Sequence, residues 1–104
     1  MYEVEFSQEA DADLERLFDF ALQRELDSET GDLDVAYRVV QANRRGVDFL
    51  KSSPFACRKV GISPFIRELV ISFGSSGYVA LFEIVNGKRV IIGAIRHLRE
   101  DDYH

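Results

Sequence analysis

The fold is decided by residues 66–95, which read IRELVISFGSSGYVALFEIVNGKRVIIGAI. Apolar and polar residues alternate in part over 66–73, and residues 78–85 are rich in the β-branched and aromatic side chains typical of strands. Asn86-Gly87 is the strongest short signal for a hairpin, and a third strand is expected from Arg89 to Ile95. The stretch therefore predicts an antiparallel meander of three strands.

The N-terminal half predicts one strand followed by two helices. Residues 2–6 alternate between apolar and acidic side chains, as in a short half-buried strand. Ser7 is a suitable N-cap, and apolar residues at helical spacing then continue to about Leu26. A second helix begins near Asp32 and must end before Pro54. Its expected apolar face comprises Leu33, Ala36, Tyr37, Val40, Val47 and Leu50.

The order of elements is β-α-α-β-β-β, and the predicted fold class is α+β. The two helices form a hairpin that is expected to pack on one face of a small, mainly antiparallel sheet. Residues 54–65 contain two prolines and a glycine and are expected to be an irregular connection. The first strand has no hairpin partner, so it is expected to add beside a later strand. Gly46 either weakens the second helix by about 1 kcal/mol relative to alanine or permits a close helix crossing.

Length and composition limit the class of protein. A chain of 104 residues with 46% hydrophobic and 30% charged residues has the size of one compact domain, expected over 1–104, and is not disordered. No apolar run approaches the roughly 20 residues of a membrane span, and the N-terminus MYEVEF lacks the pattern of a signal peptide. The single cysteine, Cys57, excludes an internal disulfide and favours a reducing compartment. We therefore expect a cytoplasmic protein that does not bind membranes.

The net charge of −5 conceals an uneven distribution along the chain. Residues 1–37 carry two arginines against twelve carboxylates, a net −10, whereas residues 38–104 carry eleven lysines and arginines against six carboxylates, a net +5. One interpretation is that the acidic helices are simply well solvated. The other is that the second half meets an anionic partner.

The most reactive side chains lie near the C-terminus. Arg96, His97, Arg99 and Tyr103 combine a fixed cation for phosphate, a group that transfers protons near neutral pH, and an aromatic ring. Such a set has the chemistry for RNA cleavage, in which a 2′-hydroxyl is activated and the charge on the phosphorane is stabilised. An exposed, charged strand end explains the same residues, and composition alone leaves both interpretations open.

No metal or cofactor is expected. The histidines and aspartates near the C-terminus lack the spacing of a metal-binding motif. Cys57 has no obvious histidine partner in the sequence and is expected to be an inert structural thiol. Residues 74–77, Gly-Ser-Ser-Gly, join two strands and do not open a helix, so they are not a phosphate-binding loop.

The ordered combination of these features resembles one family. The resemblance is carried by Arg67-Glu68-Leu69, by residues 77–84 (GYVALFEI), by residues 95–103 (IRHLREDDY), and by the strand over 2–6 that precedes Ser7. In this order the segments are similar to the RelE/ParE superfamily of toxins from type II toxin–antitoxin, or plasmid stabilisation, systems. The resemblance covers essentially the whole chain and is strongest over 66–103.

The resemblance implies two alternative activities. RelE-like members cut messenger RNA in the ribosomal A site, whereas ParE-like members bind DNA gyrase, trap its cleaved-DNA complex and are not enzymes. The cutting members often carry a basic residue after the Gly-Tyr of the middle strand, where this chain has Val79. We therefore expect a ParE-like gyrase inhibitor, with a RelE-like endoribonuclease acting on the ribosome and its mRNA as the alternative. In the first case the target-binding residues are Arg67, Arg96 and Arg99; in the second the catalytic residues are Arg96, His97, Arg99 and Tyr103.

The resemblance also implies a protein partner. Antitoxins of this class wrap a disordered C-terminal segment over the toxin and fold on binding, giving a toxin–antitoxin hetero-oligomer. The apolar residues of the helix hairpin that such a segment would cover, if they are exposed, are Phe20, Leu26, Val39 and Phe49. Ordinary core or scattered surface positions explain these four residues equally well. A module that binds the antitoxin without being toxic is the second alternative to gyrase inhibition.

Overall fold

The computed structural model describes residues 1–98. Two helices and four strands follow one another in the predicted order, with two short 3₁₀ turns and one additional short strand between them. The elements are β1 Glu3–Phe6, α1 Gln8–Leu26, α2 Asp34–Val47, 3₁₀ turns Asp48–Lys51 and Pro54–Ala56, β2 Arg58–Lys59, β3 Ile66–Phe73, β4 Ser76–Ile84 and β5 Arg89–His97.

The five strands form one mixed sheet in the order β1-β5-β4-β3-β2. Neighbouring strands are antiparallel except β1, which lies parallel to β5 and pairs Phe6 with Ile92. The expected addition of the first strand beside a later one is thus confirmed, as is the α+β class. Strand β2 was not predicted, because its two residues, Arg58 and Lys59, are both charged and exposed and show no alternation.

Helix α1 begins where the sequence predicts. The Ser7 hydroxyl accepts a hydrogen bond from the backbone N–H of Ala10 at 3.0 Å, which satisfies one of the free donors at the helix start. Its inner face buries Ala10, Leu14, Leu17 and Ala21 against the sheet. The predicted stripe therefore gives the packing face of α1 correctly.

Helix α2 is shorter than predicted, and its inner face was predicted in part: Ala36, Val47 and Leu50 are buried as expected. It ends at Val47 and continues as a 3₁₀ turn, and its buried residues are Ala36, Val39, Asn43 and Val47. Leu33 and Tyr37, expected on the inner face, are exposed. The error arose because the true stripe includes a polar residue, Asn43, whose Nδ2 donates to the carbonyl of Val39 at 2.9 Å.

Gly46 marks the point where α2 approaches the sheet most closely. A Cβ at this position would lie 2.7 Å from Cγ1 of Ile71 on β3. The close approach allowed by glycine is therefore that of a helix to a strand, not the helix crossing that was one of the two expectations.

Both predicted hairpins are present with different turns from those expected. β3 and β4 pair up to Phe73 and Ser76, so only Gly74 and Ser75 form the turn, with Gly74 at a φ of 61°. In the loop between β4 and β5, the Asn86 side chain accepts from the backbone N–H groups of Lys88 and Arg89. Asn86 thus closes a longer loop by its side chain.

A β-bulge interrupts β5 opposite the middle of β4. Leu81 pairs with Ala94, whereas Phe82 pairs with Ile92, which leaves Gly93 unmatched. Side chains alternate along a strand, and one unmatched residue reverses the alternation beyond it. Before the bulge Ile92 points to the core, and after the bulge Ile95 does. Arg96 consequently faces away from the helices.

The start of α1 closes the outer edge of β5 beyond the bulge. β1 ends at Phe6, and Ser7 then donates its backbone N–H to the carbonyl of Ile92 at 2.9 Å. One helical turn further on, Asp13 Oδ2 accepts from the backbone N–H of Ile95 at 2.9 Å. These contacts fix the end of β5, which carries the residues of interest to function.

Candidate functional site

The face of the sheet without helices carries a shallow, mainly apolar hollow. The hollow has a volume of about 250 Å³. Val79 on β4 pairs directly with Arg96 on β5 in the strand register. Val79 is only 7% exposed, so the position where the resemblance suggested looking for a cation holds a covered aliphatic side chain. The residues that line this sheet hollow are Glu68, Val79, Leu81, Ala94 and Arg96.

The sheet hollow has a mixed charge. Arg96 contributes a guanidinium and Glu68 a carboxylate. Glu68 is also paired with Arg58 of β2, its neighbour across the strand register. Acid–base chemistry on a phosphodiester needs several convergent groups, and the residues that line the hollow supply one cation and one carboxylate that Arg58 already pairs.

A larger groove lies on the opposite side, between the helix hairpin and the β3–β4 turn. We call it the helix-side groove; its volume is about 520 Å³. The floor includes Val39 and Tyr78, and Phe20 stands at its edge. Arg16 and Arg24, the two basic residues of the first 37, also line it. The strongly acidic N-terminal half therefore turns both of its cations to one groove.

His97 belongs to this groove and not to the sheet hollow. Its Nε2 lies 3.3 Å from the Ser76 hydroxyl, and its ring meets the Tyr78 ring edge-on with centroids 5.5 Å apart. Burial raises the pKa of the Tyr78 hydroxyl, an effect that nearby Arg24 partly offsets. The predicted pair Arg96 and His97 is thus separated onto opposite faces of the sheet, while Arg99 and Tyr103 lie outside the described residues.

Arg67 holds the chain together at the outer edge of the sheet. Its Nε donates to the carbonyl of Pro64 at 2.8 Å, and its Nη1 donates to the carbonyls of Phe55 and Cys57 at 3.0 and 2.7 Å. Its guanidinium also lies over the Phe55 ring, 5.1 Å from the centroid. These contacts tie Arg67 to the backbone of residues 55–64, and its expected role in target binding stays a prediction.

Cys57 is a buried thiol. Burial raises its pKa, and Arg67 offsets the shift only in part, so the thiol stays protonated at neutral pH. No cluster of three or more metal-binding side chains occurs within residues 1–98. In the same part of the chain no helix is long and apolar enough to span a membrane.

The four hairpin residues singled out for a partner differ in exposure. Phe20, Leu26 and Phe49 are exposed, Phe20 by 65%. Val39 is only 2% exposed, so the expectation that it is a surface residue is wrong. It lies one helical turn from Asn43 on the inner stripe of α2, and a partner would meet it only through the helix-side groove. Tyr37 was not among the residues expected to meet a partner, because the sequence placed it on the inner face of α2. It is exposed and packs edge-on against Phe18.

One family model matches almost the whole chain. The family model described as "ParE toxin of type II toxin-antitoxin system, parDE" matches residues 4–102. The chain belongs to this family. No match was found among curated proteins. Among solved structures, a chain described as "Chromosomal ParDE TA system from P. aeruginosa" has a similar fold, with a TM-score of 0.71 and 21% identity over 93% of this chain and 96% of that one.

Membership of the ParE toxin family agrees with the resemblance found in the sequence. The match runs through all five strands and both helices, and it includes the bulged strand β5. The protein is therefore a ParE-family toxin of a type II toxin–antitoxin system.

Proposed function

We propose that this ParE-family toxin inhibits DNA gyrase by binding, without cutting nucleic acid, and that a cognate antitoxin neutralises it. The observation that carries the first half is the placement of Arg96 and His97 on opposite faces of the sheet. RNA cleavage needs a proton-transfer group and a cation at the same phosphate. Here the imidazole and the guanidinium address different surfaces.

The residue beside Arg96 supports the same proposal. Val79 fills the place where a second cation would face the phosphate, and it is covered by its neighbours. The remaining polar group of the sheet hollow is the Glu68 carboxylate, which would repel a nucleic-acid backbone. A hollow that combines one guanidinium, one carboxylate and three aliphatic side chains is better suited to a protein surface than to a phosphodiester.

The test compares two activities of the same purified protein. Gyrase supercoiling of plasmid DNA should be inhibited, with linear DNA left after denaturation of the complex. Programmed ribosomes given the same amount of toxin should leave the message intact by primer extension. A-site cleavage that disappears in His97→Ala would establish the endoribonuclease instead, and absence of gyrase inhibition at large excess would exclude the gyrase target.

The antitoxin is proposed to occupy the helix-side groove. The groove combines an apolar floor with Phe20 at its edge and two arginines, which suits a segment that presents apolar and acidic side chains together. The similar fold of a chain from a ParDE system supports a partner of this kind. Leu26, at the C-terminal end of α1, is a further exposed apolar residue on the hairpin. Phe49 is exposed in the 3₁₀ turn that follows α2.

Exposed positions allow this to be tested without loss of the fold. Binding of the product of the adjacent open reading frame, measured by calorimetry, should weaken about tenfold or more in Phe20→Ala. Val85→Ala is the matched control, since it shortens an exposed apolar side chain in the loop after β4. Phe49→Ala reports whether the antitoxin segment reaches the far end of α2. Unchanged affinity in Phe20→Ala would place the antitoxin elsewhere.

A further inference from the structure

The outer edge of the sheet concentrates exposed apolar side chains and positive charge. Residues 52–67 contain Arg58, Lys59 and Arg67 and no carboxylate, in a protein whose net charge is −5. We call the exposed part of this segment the basic edge. It comprises Phe55, Arg58, Lys59, Val60, Ile62 and Phe65.

The most exposed apolar side chain of the basic edge is held on a braced loop. Ile62 is 99% exposed between β2 and β3. Gly61 precedes it at a φ of 74°, and the Ser63 hydroxyl accepts from the backbone N–H of Phe65. Arg67 fixes the carbonyl of Pro64 from below. These contacts hold the loop in the conformation that presents Ile62, which lowers the conformational entropy lost on docking.

The neighbouring residues extend the braced loop into a surface. Phe55 and Phe65 stack edge-on with centroids 6.3 Å apart, on the framework that Arg67 provides. β2 is the terminal strand of the sheet, so one of its edges has no strand partner. Lys59 on this strand is exposed and has no ion-pair partner within residues 1–98. An exposed apolar patch of this kind marks a protein interface.

We infer that the basic edge is the surface with which the toxin docks on its target, and that Ile62 enters an apolar pocket of gyrase whose rim carries carboxylates. This inference rests on the proposed function. The basic residues Arg58, Lys59 and Arg67 outnumber the one neighbouring carboxylate, Glu68, which favours an anionic partner. The most exposed side chain, Ile62, is aliphatic and cannot stack on bases, and the rings of Phe55 and Phe65 pack against each other, which favours a protein.

The position of the basic edge separates it from the proposed antitoxin groove and joins it to the sheet hollow. The loop of Ile62 precedes the Ile66 end of β3, whereas the helix-side groove lies at the Phe73 end, about 25 Å away along an eight-residue strand. The Arg58–Glu68 ion pair connects the edge to the hollow, because Glu68 also lines the latter. The target surface would thus run from Ile62 towards Arg96.

Two substitutions on the basic edge test the inference. Ile62→Asp places a charge on a side chain that is almost wholly exposed, and Lys59→Glu reverses the charge of an exposed side chain. Each should raise the concentration of toxin that half-inhibits supercoiling by about tenfold or more. Ile62→Leu should inhibit like the wild type. Lys88→Glu is the matched control for charge. Lys88 is exposed in the loop before β5, beside β1, whereas Lys59 lies on β2 at the other edge of the sheet.

Thermal unfolding and antitoxin affinity serve as checks on the fold and should not change in any variant. If the wild type inhibits gyrase and Ile62→Asp inhibits equally well, the docking surface is wrong while the proposed function stands. If the wild type does not inhibit gyrase, the proposed function and this inference fall together. Three other results would assign the basic edge to another partner and overturn the inference. Ile62→Asp could lose antitoxin binding, the wild type could form a dimer that Ile62→Asp abolishes, or the wild type could bind anionic phospholipid vesicles.

Discussion

Replacement of Gly46 by alanine tests how closely α2 is packed on the sheet. The new Cβ would lie 2.7 Å from Ile71 Cγ1 and 3.0 Å from both Cδ1 and Cγ2 of the same side chain. Overpacking of this kind costs about 1–3 kcal/mol, while alanine in place of glycine within a helix contributes about 1 kcal/mol. Since Ile71 is itself buried and held by β4, we expect a net destabilisation of about 1 kcal/mol.

A double-mutant cycle makes the reasoning quantitative. Ile71→Ala alone should lower the free energy of unfolding by about 2–5 kcal/mol. In the presence of Gly46→Ala the same change should be less damaging, because the added methyl group occupies part of the space vacated by Ile71. The coupling free energy should therefore be favourable by about 1 kcal/mol or more.

Urea unfolding followed by circular dichroism provides the measurement, with the slope of the transition as a check on two-state behaviour. Gly87→Ala is the control, because a Cβ there meets nothing within 4 Å. It should change stability by no more than about 0.5 kcal/mol. A gain of about 1 kcal/mol in Gly46→Ala, the full helix propensity, would refute the reasoning by showing that Ile71 moves aside freely.

Three further predictions concern buried polar groups. Asp13→Ala should lower stability by about 1–3 kcal/mol because the backbone N–H of Ile95 loses its acceptor, whereas Asp13→Asn, measured in the same urea titration, should keep most of it. Burial raises the pKa values of Cys57 and Tyr78, so their protonated forms contribute stability below the pKa values of the unfolded chain, and this contribution should be lost as the pH rises above about 9. The melting temperature should therefore depend less on pH in Tyr78→Phe than in the wild type. An equal dependence in both proteins would contradict the assignment. Asn43→Leu should raise the melting temperature, because the buried Oδ1 of Asn43 accepts no hydrogen bond within the described chain; a lower melting temperature would show that this oxygen has a partner.

The main elements could be predicted because their signals are local. The alternation over β3, the β-branched residues of β4 and the cap at Ser7 each act within a few residues. β2 could not be predicted, because its pairing depends on β3 and on the Arg67 contacts that shape the chain before it. The inner face of α2 was predicted only in part, since a buried asparagine cannot be recognised from hydropathy.

The candidate site was harder to predict than the fold. Arg96 and His97 are adjacent in sequence, and their chemistry suggests one site as long as their position in a strand is not considered. A strand directs neighbours to opposite faces, so adjacency alone should have argued against a shared site. Arg67 was expected to bind the target, and the sequence did not show that its Nε and Nη1 donate to backbone carbonyls within the fold. Neither the carbonyls nor the exposure of Ile62 is visible in a one-dimensional pattern.

The unmatched Gly93 determines which side chains the end of β5 presents on each face of the sheet. If residue 93 paired regularly, every residue of β5 after it would point to the opposite face. Deletion of Gly93 would remove the bulge and keep the pairing of Val79 with Arg96, so Arg96 and His97 would stay on their present faces. A chain of the same length in which residue 93 paired regularly would exchange them. Two chains with the same residues after the bulge can therefore present opposite chemistry to the same partner. In comparisons between toxins of this fold, the presence of the bulge should be considered together with the residues that follow it.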